Sequence, residues 1–199
     1  EELPDTAPAH VAGAAGRVAT PWSNATSIYR RSLPSCRLVI IGWDPTSLAL
    51  ATLAGQSGLD VVLVRPNGPD AAPPVPGINY LRSSPKDALA GVGLDARTAV
   101  VVATHDEIYD SEALLHALPS DAGYVGLLGS SRRLPQRLGL LQERGVDEAA
   151  IARLKAPIGL SIGGRAPWQV ATSIFAEIIQ WSTGAERSYV WHDGPPAAD

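Results

Sequence analysis

The chain has 199 residues, 45% of them hydrophobic and 18% charged, with a formal net charge of -4. Those proportions suit one globular domain with an arm, and the acidic balance argues against a general nucleic-acid binder, whose footprint would be basic. A lone cysteine, Cys36, excludes an internal disulfide and a cysteine-built zinc site, and no apolar run approaches the ~20 residues that span a bilayer. No signal peptide is visible. The first residue is Glu1 rather than Met, so a trimmed leader stays open, and the cytoplasm is the expected location.

Residues 1–35 are rich in Ala, Pro, Gly and Ser without sustained periodicity, and read as an arm or linker with a short extended piece at 17–20. Arg37-Leu38-Val39-Ile40-Ile41, ending at Gly42, is an apolar run that predicts a strand buried on both faces. Pro45 opens the next helix; Leu48, Leu50, Ala51, Leu53 and Ala54 supply its apolar face, and Gly58 ends it. Val61 to Val64 is the second buried strand, which completes a β-α-β unit. A Pro- and Gly-dense loop at 66–76 leads to a short strand at 78–81 and a short helix at 85–89.

Val100 to Ala103 predicts another buried strand, followed by a helix over 108–118. The strand at 124–128 precedes a helix over about 131–144, with Leu134, Leu138 and Leu141 on one face and Pro135 in its first turn. Asp147 caps a shorter helix reaching about Leu154. A glycine-punctuated loop at 157–164 leads to a last helix opened by Pro167, with Val170, Ala171, Ile174, Ile178 and Trp181 at helical spacing. So apolar a helix is buried in the core or shared with a second copy of the chain, which raises a homodimer as an expectation. The tail from Ala185 reads as polar and loosely ordered, pinned by Tyr189 and Trp191. The pattern predicts an α/β fold, a Rossmann-like doubly wound parallel sheet of about five strands in a single domain with an N-terminal arm. Boundaries fall at 1–35 for the arm, 36–184 for the domain and 185–199 for the tail.

The stretch 123–133, GYVGLLGSSRR, organises the chain: a short strand, a glycine turn, and a helix start carrying two arginines. Gly129 lets a ligand approach the backbone. Ser130 stands where first-turn N–H groups lack partners, and the helix dipole favours an anion there. Arg132 and Arg133 add donors and charge; about 100° apart on a helix, one faces the ligand while the other holds a carboxylate such as Asp106 or Asp110. The alternative is that Gly129 ends a strand, Ser130 caps a helix and both arginines are solvated.

The first strand-to-helix turn reads Gly42-Trp43-Asp44-Pro45-Thr46-Ser47. A dinucleotide fingerprint wants glycine at 42, 44 and 47, and only Gly42 is present. Asp44 would repel a phosphate. Arg65 stands where an acid normally binds ribose, either to take the 2'-phosphate of NADP or to pair with a neighbour. His105, Asp106 and Asp110 follow the fourth strand, where ligands of open α/β sheets bind. His105 there is a general base or an anion donor, or else it satisfies a carbonyl while Asp106 caps a helix. A triad of Ser130, His105 and an Asp lacks a nucleophile elbow, and a metal site from His105, Asp110 and His116 lacks convergence; both are set aside. The 159–164 loop, with Gly159, Ser161 and Gly163, is either a nest of backbone N–H groups or a tight crossover.

GYVGLLGSSRRLPQRLGLL, followed by RGVDEAAIARLKAPIGLSIGGRAPWQVATSIFAEII, resembles the C-terminal domain of the XdhC/CoxF family. The resemblance runs upstream through VVVATHDEIYD and LVIIG, covering about residues 37–180, and its most specific pair of blocks is GLLGS-x-R-R and PIGL-x-IG. Those proteins are accessory factors that help load molybdenum cofactor into xanthine-dehydrogenase-type enzymes. The resemblance therefore implies a non-catalytic factor that binds molybdopterin through its terminal phosphate or pyrophosphate, with a molybdoenzyme client and a cysteine desulfurase as partners. Thr104, His105, Asp106 and Asp110 match the family's TH-D-x-x-x-D. The chain departs from the family at Asp44, where a second glycine is usual, at Ser161, where an acid is usual, and at Pro167-Trp168-Gln169, where Pro-Glu-Glu is usual. The glycine- and cysteine-containing motif of the family's N-terminal domain is not found. Glu177 is retained, and its apolar neighbours predict a half-buried carboxylate paired with an arginine. Two further readings stay open: an NAD(P)- or flavin-binding Rossmann oxidoreductase or nucleotide sensor, and a degenerate relative that acts by dimerisation.

Overall fold

The computed structural model describes residues 36–183 and two short strands before them, β1 (Trp22–Ser23) and β2 (Ile28–Tyr29), which pair antiparallel. The rest of the expected arm, its extended piece at 17–20, and the tail with Tyr189 and Trp191 lie outside the described residues. From β3 (Arg37–Gly42) the chain alternates strand and helix: α1 (Pro45–Gln56), β4 (Asp60–Val64), β5 (Ile78–Leu81), α2 (Pro85–Val92), β6 (Thr98–Ala103), α3 (Glu107–Ala117) and β7 (Tyr124–Leu127). After a 3-10 turn over Ser131–Arg133 come α4 (Leu134–Glu143), α5 (Glu148–Ala152), β8 (Leu154–Lys155) and α6 (Pro167–Thr183).

The strands form one parallel sheet in the order β5-β4-β3-β6-β7-β8. Successive strand residues serve opposite cores, which is why the strands read as continuous apolar runs. Val39, Ile41, Val62, Val100 and Val102 face α2, α3, α4 and α5, whereas Leu38, Ile40, Leu63, Ala99 and Val101 face α1 and α6. On α6, Ala171, Ile174 and Ile178 are fully buried, and Trp168 and Ile179 remain exposed. Four of the helices begin on side-chain caps: Asp44 for α1, Ser84 for α2, Asp106 for α3 and Asp147 for α5 each accept a backbone N–H.

Two expectations are corrected. The sheet has six strands, because Leu154, expected to end a helix, pairs with Val125 as part of β8. Two residues carry no periodicity, so that strand exists only because the free edge of β7 offers it partners. The single helix expected over 131–144 is divided: Ser131–Arg133 is a 3-10 turn, Ser130 before it is extended and makes no side-chain cap, and the α-helix begins at Leu134. The N–H missing from Pro135 falls in the first turn of α4, where it would have had no partner.

Candidate functional site

Strand order reverses between β3 and β6, so the crevice at their carboxyl ends is where a ligand of this fold is received. Gly42 ends β3 beside Ala103. A Cβ on Gly42 would lie 2.2 Å from Ser47 Oγ and 2.7 Å from the Ala103 carbonyl oxygen, so only glycine fits. Asp44 Oδ1 accepts from the Ser47 amide (2.8 Å) and hydroxyl (2.6 Å), and its Oδ2 lies 3.4 Å from His105 Nε2. Partial burial pushes the Asp44 carboxyl up, but the hydrogen bonds from Ser47 and His105 outweigh it and hold the group below its ordinary value. A fixed carboxylate and the buried Ser47 thus fill the space that glycines at 44 and 47 would open to a pyrophosphate.

Arg65, expected to take a 2'-phosphate or a neighbour, turns back onto the turn: its Nη2 donates to the Trp43 carbonyl at 3.4 Å. Trp43 packs edge-on against Tyr109 with ring centroids 5.7 Å apart, and Asn67 Nδ2 donates to the Tyr109 hydroxyl at 2.7 Å. Side chains from two loops and the first turn of α3 thus pack against one another at the crevice.

The four family-matched residues after β6 separate into different roles. His105 adopts a left-handed backbone, φ 61, which few non-glycine residues do, and its ring is half-exposed beside Asp44. Asp106 Oδ1 caps α3, accepting from the Ile108 (2.8 Å) and Tyr109 (3.2 Å) amides. Thr104 donates its hydroxyl to Asp110 Oδ1 at 2.6 Å. Asp110 itself is 1% exposed, and its Oδ2 lies 2.9 Å from Arg137 Nη1. The arginine holding this carboxylate is therefore Arg137, not Arg132 or Arg133 as expected. Arg132 and Arg133 sit exposed on the 3-10 turn, whereas Arg137 lies one helical turn further, on the face of α4 that packs inward.

Beside the crevice, at the carboxyl end of β7, a shallow cleft separates the 129–131 turn from Ala156 and Pro157, with Leu127 and Leu134 between them and Arg137 as the charged group of its wall. A Cβ on Gly129 would meet nothing closer than Arg137 Nη1 at 3.6 Å, so the turn is open above the guanidinium. Arg137 was not among the expected site residues, yet Leu134, Arg137, Leu138 and Leu141 follow helical spacing and mark it as inward-facing.

The 157–164 loop is anchored to α6 in its first half. Ile158 donates its amide to the Leu127 carbonyl at 3.1 Å, and Leu160 to that of Ser173 at 3.2 Å. Gly159, at φ 104, donates its N–H to Glu177 Oε2. Glu177 thus accepts from backbone rather than from the arginine expected, and the Gly159 N–H is already used. Burial, then the negative charge of Glu177, push the Tyr124 hydroxyl well above its ordinary value. Ser161 and Gly163 lie further along the loop; Ser161 is exposed, and nothing stands within 4 Å of a Cβ on Gly163. Among the described residues no group of three or more His, Cys, Asp or Glu is placed to hold a metal ion, and no helix is long and apolar enough to cross a membrane.

A parallel sheet in this order, with its polar groups collected at the carboxyl edge, defines a Rossmann-like α/β domain. Residues 38–178 match the XdhC Rossmann domain family, and the chain belongs to that family. Over 153 residues it is 29% identical to a probable xanthine dehydrogenase component of Bacillus subtilis (strain 168), covering 76% of this chain and 44% of that protein. It is 29% identical over 145 residues to the molybdenum cofactor insertion chaperone PaoD of Escherichia coli (strain K12), covering 73% and 40%. A crystal structure of a xanthine dehydrogenase from Bacillus halodurans superposes with a TM-score of 0.61 at 30% identity, covering 82% of this chain and 46% of that one. The chain spans less than half the length of each.

Proposed function

We propose that this chain is the cofactor-handling domain of an accessory factor for molybdenum-cofactor-containing hydroxylases of the xanthine dehydrogenase type. It binds the cofactor by its anionic end and aids maturation or insertion, without turnover of its own. The observation that carries the reading is the open Gly129–Ser130 turn at the carboxyl edge of the sheet, with Arg132 and Arg133 exposed on its rim. Backbone, hydroxyl and guanidinium are donors suited to a phosphate. The names of two relatives, one a xanthine dehydrogenase component and the other a cofactor insertion chaperone, support the same direction.

In this reading His105 and Asp106 border the cofactor on the β6 side, Ser161 and Gly163 on the loop side, and Gly42 keeps the intervening floor low. Asp110 acts from inside, through Arg137. The molybdenum chemistry belongs to the client; this chain binds, orients and shields. A cysteine desulfurase supplies sulfur, since Cys36 precedes β3 at the opposite edge of the sheet, about 20 Å away along a six-residue strand.

The test is retention of pterin and molybdenum by the chain after gel filtration from a cofactor donor, read by pterin fluorescence and metal analysis. The parent retains both together. Replacing Arg132 and Arg133 with Ala weakens retention roughly tenfold, the loss of one charge-assisted contact. Retention equal to that of the parent would place the cofactor elsewhere.

A further inference from the structure

Among the described residues Arg137 is a buried cation to which the proposed function gives no ligand contact. It is 9% exposed. Its Nη1 lies 2.9 Å from Asp110 Oδ2, yet neither atom completes an aligned hydrogen bond, and its Nε is likewise sealed from solvent without a partner. A buried guanidinium with unused donors is costly unless an acceptor reaches it. Asp110 cannot be the whole answer. It stands behind the arginine, toward Thr104, whose hydroxyl and amide both donate to its other oxygen.

Arg137 forms part of the wall of the cleft. Gly129 above it presents no side chain, and Ser130 leaves its hydroxyl uncommitted to a cap. Ser131 adds a second hydroxyl, the remaining wall is apolar, and among the described residues no carboxylate lines the space. One buried cation, two hydroxyls and a glycine backbone in an otherwise apolar recess are the donor set of an oxyanion pocket, with nothing in it to repel negative charge. The location is also unusual for the fold: it lies at the β7–α4 turn, not at the β3–α1 turn where a dinucleotide fingerprint places phosphates and where Asp44 stands here.

We propose that this cleft is a pocket for a terminal phosphate monoester, with Arg137 as the receiving group, Ser130 and Ser131 as hydroxyl donors, and Asp110 as the residue that positions the guanidinium. Arg132 and Arg133, on the exposed rim, add an outer charge-assisted contact to the seat that Arg137 provides. The inference rests on the cofactor reading only for the identity of the molecule that carries the phosphate. The pocket itself rests on the geometry.

The experiment is a titration of the full chain with inorganic phosphate, followed by NMR at the Arg137 side-chain Nε–H and the amides of Gly129, Ser130 and Ser131. These signals should shift together and saturate. Because Arg137→Ala alone would leave Asp110 buried and unpaired, the main variant is Asp110→Asn with Arg137→Gln, which removes both charges at once. It should bind phosphate at least about tenfold more weakly. Arg137→Lys, which keeps the charge but not the fork, should also weaken binding. If the signals do not saturate in the parent, or the double variant binds as the parent does, the pocket is overturned. The source of the phosphate is a separate arm, in which the fluorescent oxidised pterin competes with and without its side-chain phosphate. Competition by the phosphorylated form alone supports pocket and cofactor together. If phosphate seats at Arg137 but both pterin forms compete equally poorly, the pocket stands and the cofactor reading loses its site. If the pterin is retained but Arg137 never responds, the pocket falls and the cofactor reading stands on other residues.

Discussion

Arg137 of α4 and Asp110 of α3 meet at 2.9 Å under the carboxyl edge of the sheet, both almost wholly buried. Removing one partner leaves the other as an uncompensated buried charge. Asp110→Ala and Arg137→Ala should each destabilise the chain by about 3–5 kcal/mol, whereas replacing both with apolar residues of similar volume should cost far less. Urea unfolding of the two single variants and the double variant forms the cycle that checks this. Additive losses would mean that the pair is not coupled.

Asp44 and His105 set an acid limb of stability. The folded Asp44 carboxyl is held below its ordinary value, so it contributes stability that is fully present above the unfolded value of about 3.9. That contribution is lost as pH falls through the lower folded value. Asp44→Asn keeps a cap but not the charge. The gap in melting temperature between parent and variant should therefore be widest near neutrality and close below about pH 4. A gap independent of pH would show that the carboxylate is not held by its neighbours. Asp44→Ala, which also removes the cap of α1, should cost about 1 kcal/mol at neutral pH.

The same carboxylate bears on nucleotide binding. Asp44→Gly should gain affinity for NADP by calorimetry if charge is what excludes the pyrophosphate. An unchanged isotherm would mean that the β3–α1 turn, with Ser47 packed under Gly42, is no dinucleotide site at all.

Cys36 should be inert near neutral pH. Its Sγ–H donates to the Arg97 carbonyl at 3.1 Å, and burial pushes the thiol up to about 11. Iodoacetamide labelling should stay slow through pH 8 and accelerate only as pH approaches that value. Because the folded value is raised, the thiol's contribution to stability is present below the unfolded value of about 8.5 and fades as pH rises toward the folded one. Cys36→Ala should leave cofactor retention intact; its loss would reopen a role for this thiol in sulfur transfer.

We propose that α6 pairs two copies of the chain, since Trp168 and Ile179 remain exposed beside its buried stripe. Light scattering should give a dimer at micromolar concentration and a monomer for Trp168→Asp with Ile179→Lys. A monomeric parent at high micromolar concentration sinks this.

Much of the site was legible for a local reason. The residue types at Asp106, Asp147 and Pro45 fix helix starts within one turn, and Gly42 and Gly129 mark strand ends where the chain must bend. Other features were hidden because both halves lie far apart in sequence. Glu177 accepts from Gly159 across 18 residues, and nothing near Glu177 distinguishes that acceptor from an arginine's partner. Arg137 and Asp110 were half-visible: each sits within an apolar helical stripe, Leu134-Arg137-Leu138-Leu141 and Asp110-Ala113-Leu114-Ala117. Two opposite charges on inward faces suggest each other once the helices are known to be neighbours.

The alternation of strand and helix, the burial of the sheet on both faces and the family can all be read from the residues in order. Periodicity, caps and turn residues act over a few positions and survive without tertiary context. Three-dimensional packing was needed to make Leu154 and Lys155 a sixth strand, to bring Asp44 to His105 across the switch in strand order, and to bury Arg137 rather than Arg132 or Arg133. Each of those depends on which elements lie side by side. That choice is made by burying surface across the whole chain, and no local pattern encodes it.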